Sequence, residues 1–293
     1  MSERFSKLID LMATLRAPDG CPWDRKQTHE SLKPYLLEET YEVLETIDHQ
    51  DPAKLKEELG DVLLQVVFHS QIAAEAKTFT IDDVVDHLAA KLVRRHPHVF
   101  GEPDAATKPA NGEQVLSQWE EIKRAERQAV GGAQSALDGV PKALPALLRA
   151  YQVQARASRV GFDWSHDATG LADVFKKIVE EIGELQEALA AEAAPSPPAS
   201  SRDDVAGELG DLLFSLVNLA RFLKVNPEDA LRLSTNRFVD RFVLVESQAA
   251  EQQRPLSGMT AAELDGLWEK AKHRLREAAA PAVAPITSKD IPS

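Results

Sequence analysis

The sequence predicts an all-α protein: two tandem helical bundles produced by an internal duplication. Three observations predict this. Alanine, leucine and glutamate are abundant and aromatics make up only 6% of the chain, a composition that favours helix. A stretch reading Glu-Leu-Gly-Asp followed by an apolar run occurs at 58–61 and again at 208–211. Five landmarks then recur in the same order in both halves, as a duplicated unit requires.

In the first half, Phe5, Leu8, Ile9, Met12 and Leu15 follow a helical period, so 3–16 is an amphipathic helix. Pro18, Asp19 and Gly20 end it, and Cys21-Pro22-Trp23-Asp24 reads as a loop. Trp23 either plugs the edge of the core or walls a pocket. Acidic helices follow at 30–47 and 53–76, with a turn at His49–Pro52 between them. Thr80, Asp82 and Asp83 look like the cap and first turn of a third helix running to Arg95, which His96-Pro97-His98 stops. Residues 101–112 are a loop and 113–128 a helix carrying Trp119.

The pattern restarts with a helix over 143–159. Gly161-Phe162-Asp163-Trp164 answers Gly20-Cys21-Pro22-Trp23, acidic helices follow at 171–190 and 203–223, and Asn226 caps another helix. The segment from Trp268 matches that from Trp119. These landmarks give domains at 1–130 and 143–277, a linker at 131–142 marked by Gly131 and Gly132, and a disordered tail at 278–293. A Pro/Ala/Ser-rich insert at 190–201 reads as a mobile loop.

The chemistry lies in the carboxylates. Glu58 and Asp61 are three residues apart, as are Glu208 and Asp211, so each pair shares a helix face. Upstream, Glu39 and Glu42, and Glu181 and Glu184, do the same. Taken alone, Glu-Glu-x-x-Glu is the usual look of a solvated face. Occurring twice beside apolar runs, the sets converge if their helices form hairpins, and like charges near a core need a cation. All-oxygen ligation suits Mg2+, or Mn2+, rather than zinc. Gly60 and Gly210 weaken their helices, which points to close approach by another helix or a ligand.

Basic and aromatic residues recur too. Lys91 and Arg95, like Arg237 and Arg241, lie four apart on one face. They are either surface charges or a phosphate clamp opposite the metal. Trp119 and Trp268 are either core plugs or walls for a base or sugar.

Other classes are disfavoured. The net charge of −13 argues against a nucleic-acid or membrane-surface binder. Cys21 is the one cysteine, so no disulfide framework or thiolate metal site is available. The start lacks a signal-peptide pattern and no apolar run reaches membrane-spanning length, which reads as cytoplasmic. There is no Gly-Lys-Ser/Thr P-loop, no Glu-x-x-His in the acidic pairs, and no second histidine after His29-Glu30. His96 and His98, flanking a proline, read as surface or capping residues.

The duplicated Glu-Glu-x-x-Glu and Glu-x-x-Asp pairs, each preceded by Gly-x-x-Trp, resemble the MazG family of the all-α NTP pyrophosphatases over about residues 3–277. The resemblance implies a homodimer and Mg2+-dependent hydrolysis of nucleoside triphosphates to monophosphate and pyrophosphate. It implies that the second copy is the main catalyst, with Glu181, Glu184, Glu208 and Asp211 as metal ligands. Lys177, Arg237, Arg241 and Trp268 would then contact nucleotide. Glu180, or Glu38 in the first copy, would orient or deprotonate the attacking water. A narrow-specificity pyrophosphatase is a variant of this reading, and a non-catalytic nucleotide or metal sensor is the competing class.

Overall fold

The computed structural model describes residues 3–101, 109–129, 135–194 and 200–279. Among them the regular elements are helices alone. The chain divides into two compact units, Met1–Gly132 and Ala133–Ser293.

In the first unit, α1 (Glu3–Arg16), the short α2 (Pro22–Lys26), α3 (Lys33–Asp48) and α4 (Pro52–Glu75) come first. The long helices α3 and α4 pack against each other as a hairpin. Asp51 starts α4 by accepting from the backbone N–H groups of Ala53 and Lys54, and Pro52 sits where no N–H is needed. Met12, Leu32, Val67 and Phe68 form a buried cluster flanked by Leu8, Leu64 and Ile72. Then come α5 (Ile81–Arg95), α6 (Pro97–Phe100) and α7 (Gly112–Ala129). Thr80 and Asp83 close a capping box on α5. Arg94 and Arg95 both bind Glu126, tying α5 to α7.

The expected loop at Cys21–Asp24 is instead largely helical, because Pro22 opens α2 at a position that tolerates proline. Arg16 holds that helix: its guanidinium donates to the carbonyls of Asp24 and Gln27 and pairs with Glu75 of α4. Trp23 is half exposed, edge-on to Tyr35. His96-Pro97-His98 ends α5 as expected, but Pro97 at once begins α6.

The second unit contains α8 (Ala146–Arg159), α9 (Ala168–Glu192), α10 (Ser201–Phe222), α11 (Pro227–Glu251), a 3-10 turn (Leu256–Gly258) and α12 (Ala261–Ala279). The helices α9 and α10 form the most closely packed pair. Asp167 caps α9, Asn226 caps α11, and Thr260 exchanges hydrogen bonds with Glu263 at the start of α12. Val245 and Ala249 of α11 bury against Leu267 and Ala271 of α12.

Helix α9 runs to Glu192 and α10 starts at Ser201, so both enter the stretch 190–201 expected to be a loop. Its residues 195–199 lie outside the described residues, as do 130–134 with Gly131 and Gly132. Helix α12 reaches Ala279, two residues into the expected tail, and the rest of the tail is also outside them. The stretch 135–142 is tied to the second unit, where Arg156 donates to the carbonyls of Asp138 and Gly139.

Candidate metal and nucleotide site

Each hairpin gathers carboxylates. In the first unit, Glu39 from α3 meets Glu58 and Asp61 from α4; one ligand oxygen from each lies within 4.8 Å of the others. The fourth expected member, Glu42, lies close enough to Glu58 to raise its carboxyl. In the second unit, Glu181 and Glu184 from α9 meet Glu208 from α10 in the same way. Asp211 lines the adjoining cavity, as Glu181 does.

The electrostatics follow from crowding. Desolvation lifts the Glu39 carboxyl above its usual range, and Asp61, Glu42 and Glu38 push it further. Desolvation, then Glu42, raises Glu58, against the pull of Lys54 at 3.9 Å. Glu184 is raised by desolvation and by Glu181, Glu180 and Glu208, against Lys177. Glu58 and Glu181 are only 5% and 4% exposed. Like charges gathered this closely repel one another, and an all-oxygen donor set fits a hard divalent ion.

The second site contains a cation of its own. Lys177 Nζ sits 2.8 Å from Glu181 and 2.9 Å from Glu180. Its bond to Glu181, then that to Glu180, holds the ammonium far above the usual lysine range. Glu180 is thus tied to Lys177 and half exposed. Glu38 is exposed on α3, and Tyr35 stands where Lys177 stands relative to Glu180.

A cavity of about 510 Å³ opens beside the second cluster. Lys177, Glu181 and Asp211 line one part, and Gln154, Phe162 and Phe214 another. The loop at its rim is pinned by Asp163. Burial works against that carboxylate, but the Arg221 guanidinium, with His166 and the Trp164 N–H, holds it below its usual range. Arg221 binds Asp163 with both ends of its fork, at 2.8 Å for one. Both side chains are buried.

The remaining expected residues are placed differently. Arg241 lies over the Trp268 ring at 5.8 Å, and Phe238 packs against the same ring. Trp268 lines a second cavity, of about 470 Å³, that shares no described wall residue with the first. Arg237 is exposed. In the first unit, Trp119 packs edge-on to His96 with Lys123 over its ring. Arg95 is engaged by Glu126, while Lys91 is half-buried. Within one chain, then, the acidic residues come together and the basic clamps do not join them among the described contacts. A Cβ on Gly60 or Gly210 would meet nothing within 4 Å, so no other helix among the described residues approaches either closely.

Sequence reasoning missed Gln154, Asn218 and Arg221 at the cavity. Arg221, in the last turn of a helix, looks like ordinary dipole compensation in sequence, and Gln154 looks like a polar face.

A helical hairpin presenting clustered carboxylates to a cavity defines a class of all-α protein suited to holding a hard divalent cation. Comparison gives the family. Residues 27–100 and 170–242 each match the MazG nucleotide pyrophosphohydrolase domain. The chain is 48% identical over 269 residues to the nucleoside triphosphate pyrophosphohydrolase/pyrophosphatase MazG of Thermotoga maritima, covering 92% of this chain and 95% of that protein. It is 41% identical over 272 residues to the nucleoside triphosphate pyrophosphohydrolase of Escherichia coli K12, covering 92% and 98%. It also matches YabN of Bacillus subtilis at 43% identity, covering 93% of this chain and 52% of that protein. The chain belongs to the MazG family, in its tandem form.

Proposed function

We propose that this chain is a nucleoside triphosphate pyrophosphohydrolase. It cleaves NTPs or dNTPs between the α and β phosphates, giving a monophosphate and pyrophosphate, with Mg2+ or Mn2+ as cofactor. The observation that carries the reading is the convergence of Glu181, Glu184 and Glu208 beside a cavity that Asp211 and Lys177 also line. Two relatives matched over nearly their whole lengths, both nucleoside triphosphate pyrophosphohydrolases by name, support it.

In this reading Glu181, Glu184, Glu208 and Asp211 hold the cation in the second unit, and Glu39, Glu42, Glu58 and Asp61 in the first. When bound, the cation supplies Lewis acidity at a phosphate oxygen. Glu180 orients the attacking water and takes its proton, with Glu38 as its counterpart. Lys177, Arg237 and Arg241 stabilise the departing pyrophosphate, and Trp268 packs against the nucleoside. Lys91, Arg95 and Trp119 form the weaker parallel set, since Arg95 is already engaged by Glu126.

The working unit in this reading is a homodimer. Phe238, Val239, Phe242 and Val243 leave about a turn and a half of α11 apolar and exposed, which supports pairing with a second copy. No helix among the described residues is long and apolar enough to cross a membrane, and we place the protein in the cytoplasm. Pyrophosphate release across a nucleotide panel tests the activity. EDTA should abolish turnover and Mg2+ restore it; undiminished turnover in EDTA contradicts the reading.

A further inference from the structure

The first unit contains a histidine pair that the phosphate chemistry leaves unused. His29 lies in the turn before α3, and His69 lies on α4. Their Nδ1 atoms are 2.8 Å apart. The rings are parallel within 8°, with centroids 5.1 Å apart. That separation equals the N–N distance plus one ring radius at each end. The rings therefore lie edge to edge with each Nδ1 aimed at the other, the geometry of one straight N–H···N bond. Such a bond holds a single proton: one Nδ1 carries it and the other offers its lone pair.

The bond therefore counts protons. It is made between two neutral rings. A first added proton goes to the free Nε2 of the donor ring and leaves the bond in place. A second can go only to the acceptor's Nδ1, and two N–H groups cannot face each other across 2.8 Å. The surroundings assign the roles. His29 is exposed, so water can solvate its charge. His69 is half-buried, and burial, then His29, holds its ring below the usual 6.5. His69 is thus the acceptor and the last to charge. No carboxylate offsets this. Arg16 of α1 pairs with Glu75, Lys33 of α3 with Glu30, and Asp83 of α5 bonds Thr80. None of these, nor Asp24 of α2, acts on the His69 ring.

The bond also has a mechanical place. Thr28 and Ser31 exchange hydrogen bonds around His29, and Leu32 follows directly, 1% exposed in the core. The pair pins this turn, and with it the start of α3, to α4. The second unit supplies an internal contrast. With the acidic motifs aligned, Leu171 and Leu219 occupy the places of His29 and His69, and both are half-buried.

We infer that the His29–His69 pair is a proton-operated latch in the first unit, closed while it carries at most one extra proton and opened by the second. The second hairpin, with leucines in both places, does not respond. The inference stands apart from the hydrolase reading. Below about 6.5 the unfolded chain takes up a proton that folded His69 refuses. The latch therefore stabilises the fold fully above that value and ceases to do so as pH falls.

Hydrogen exchange followed by mass spectrometry on the full chain tests this at about pH 7.5 and about pH 5, either side of the histidine range. The Leu32 and Leu36 amides, which donate to the carbonyls of Thr28 and Leu32, report the latch. Corrected for the intrinsic pH dependence of exchange, their protection should fall about tenfold in acid, the worth of one hydrogen bond. Val174 and Ile178, at the matching places in the second unit, should hold theirs. The double variant His29→Leu, His69→Leu should abolish the response. Unchanged protection at Leu32 and Leu36 overturns the proposal, as does an equal fall in both units or a fall that persists in the double variant. Nitrogen NMR of the wild-type rings tests the latch even if that variant fails to fold. One ring of the pair should be the Nδ1–H tautomer at neutral pH, with the two titrations well separated. Two Nε2–H rings titrating independently would overturn it.

Discussion

Glu58 and Glu208 occupy matching positions, yet their surroundings differ. Glu58 lies beside Glu42 and faces Lys54 across 3.9 Å. Glu208 belongs to a cluster in which Lys177 is already in contact with Glu181, beside a large cavity. On our reading the second site does most of the catalysis, so Glu208→Gln should lower kcat by at least about a hundredfold and Glu58→Gln by far less. Equal losses in steady-state assays would remove the asymmetry. Asp163 offers a stability test at the same scale. Asp163→Asn leaves the buried Arg221 without its counter-charge and should cost about 3–5 kcal/mol. Urea denaturation reads this directly, and an unchanged midpoint would show that the pair contributes little.

Among the elements, the acidic hairpins were the most legible from sequence, because helical period, cap residues and carboxylate spacing agree there. Thr80 with Asp83 marked a helix start correctly, whereas Asp51 and Pro52, read as part of a turn, cap and open α4. The loop expected at Cys21 failed because proline both ends and begins helices, and Pro22 begins one. The convergence of Glu181, Glu184 and Glu208 was readable from spacing, but the cavity that Asp211 lines is built by residues far apart in sequence and was not. Gln154 was not readable, since only its tertiary partner Phe214 distinguishes it from a solvated glutamine.

Two further tests belong to elements. Gly210 sits inside α10 with open space where a Cβ would go. Gly210→Ala should therefore stabilise α10 by about 1 kcal/mol in thermal unfolding. A fall in turnover alongside that gain would show that substrate or a second copy approaches the glycine. The second test is the tie between α5 and α7. Arg95, then Arg94, hold Glu126 down at about 2, well below the usual 4.5. A lowered carboxylate stabilises the fold fully above the unfolded value and loses that contribution as pH falls from about 4.5 through about 2. Glu126→Gln should flatten the acid limb of the stability curve over that window, and an unaltered limb would contradict the tie.

At the scale of the whole molecule, the separation of carboxylates from Arg237, Arg241 and Trp268 within one chain needs an explanation. On our reading, pairing of two copies through the exposed apolar face of α11 would provide one, each chain lending basic groups to the other's acidic hairpin. Sedimentation equilibrium should give about twice the 32.2 kDa chain mass. A monomer at micromolar concentration would require both halves of the site to come from a single chain.

The bond that breaks separates a pyrophosphohydrolase from a phosphatase. Phosphorus NMR of ATP incubated with the enzyme and Mg2+ reads it directly, because the two modes of cleavage leave different phosphates. AMP and pyrophosphate are expected as the first products, in equal amounts. ADP and orthophosphate as first products would contradict pyrophosphohydrolase chemistry.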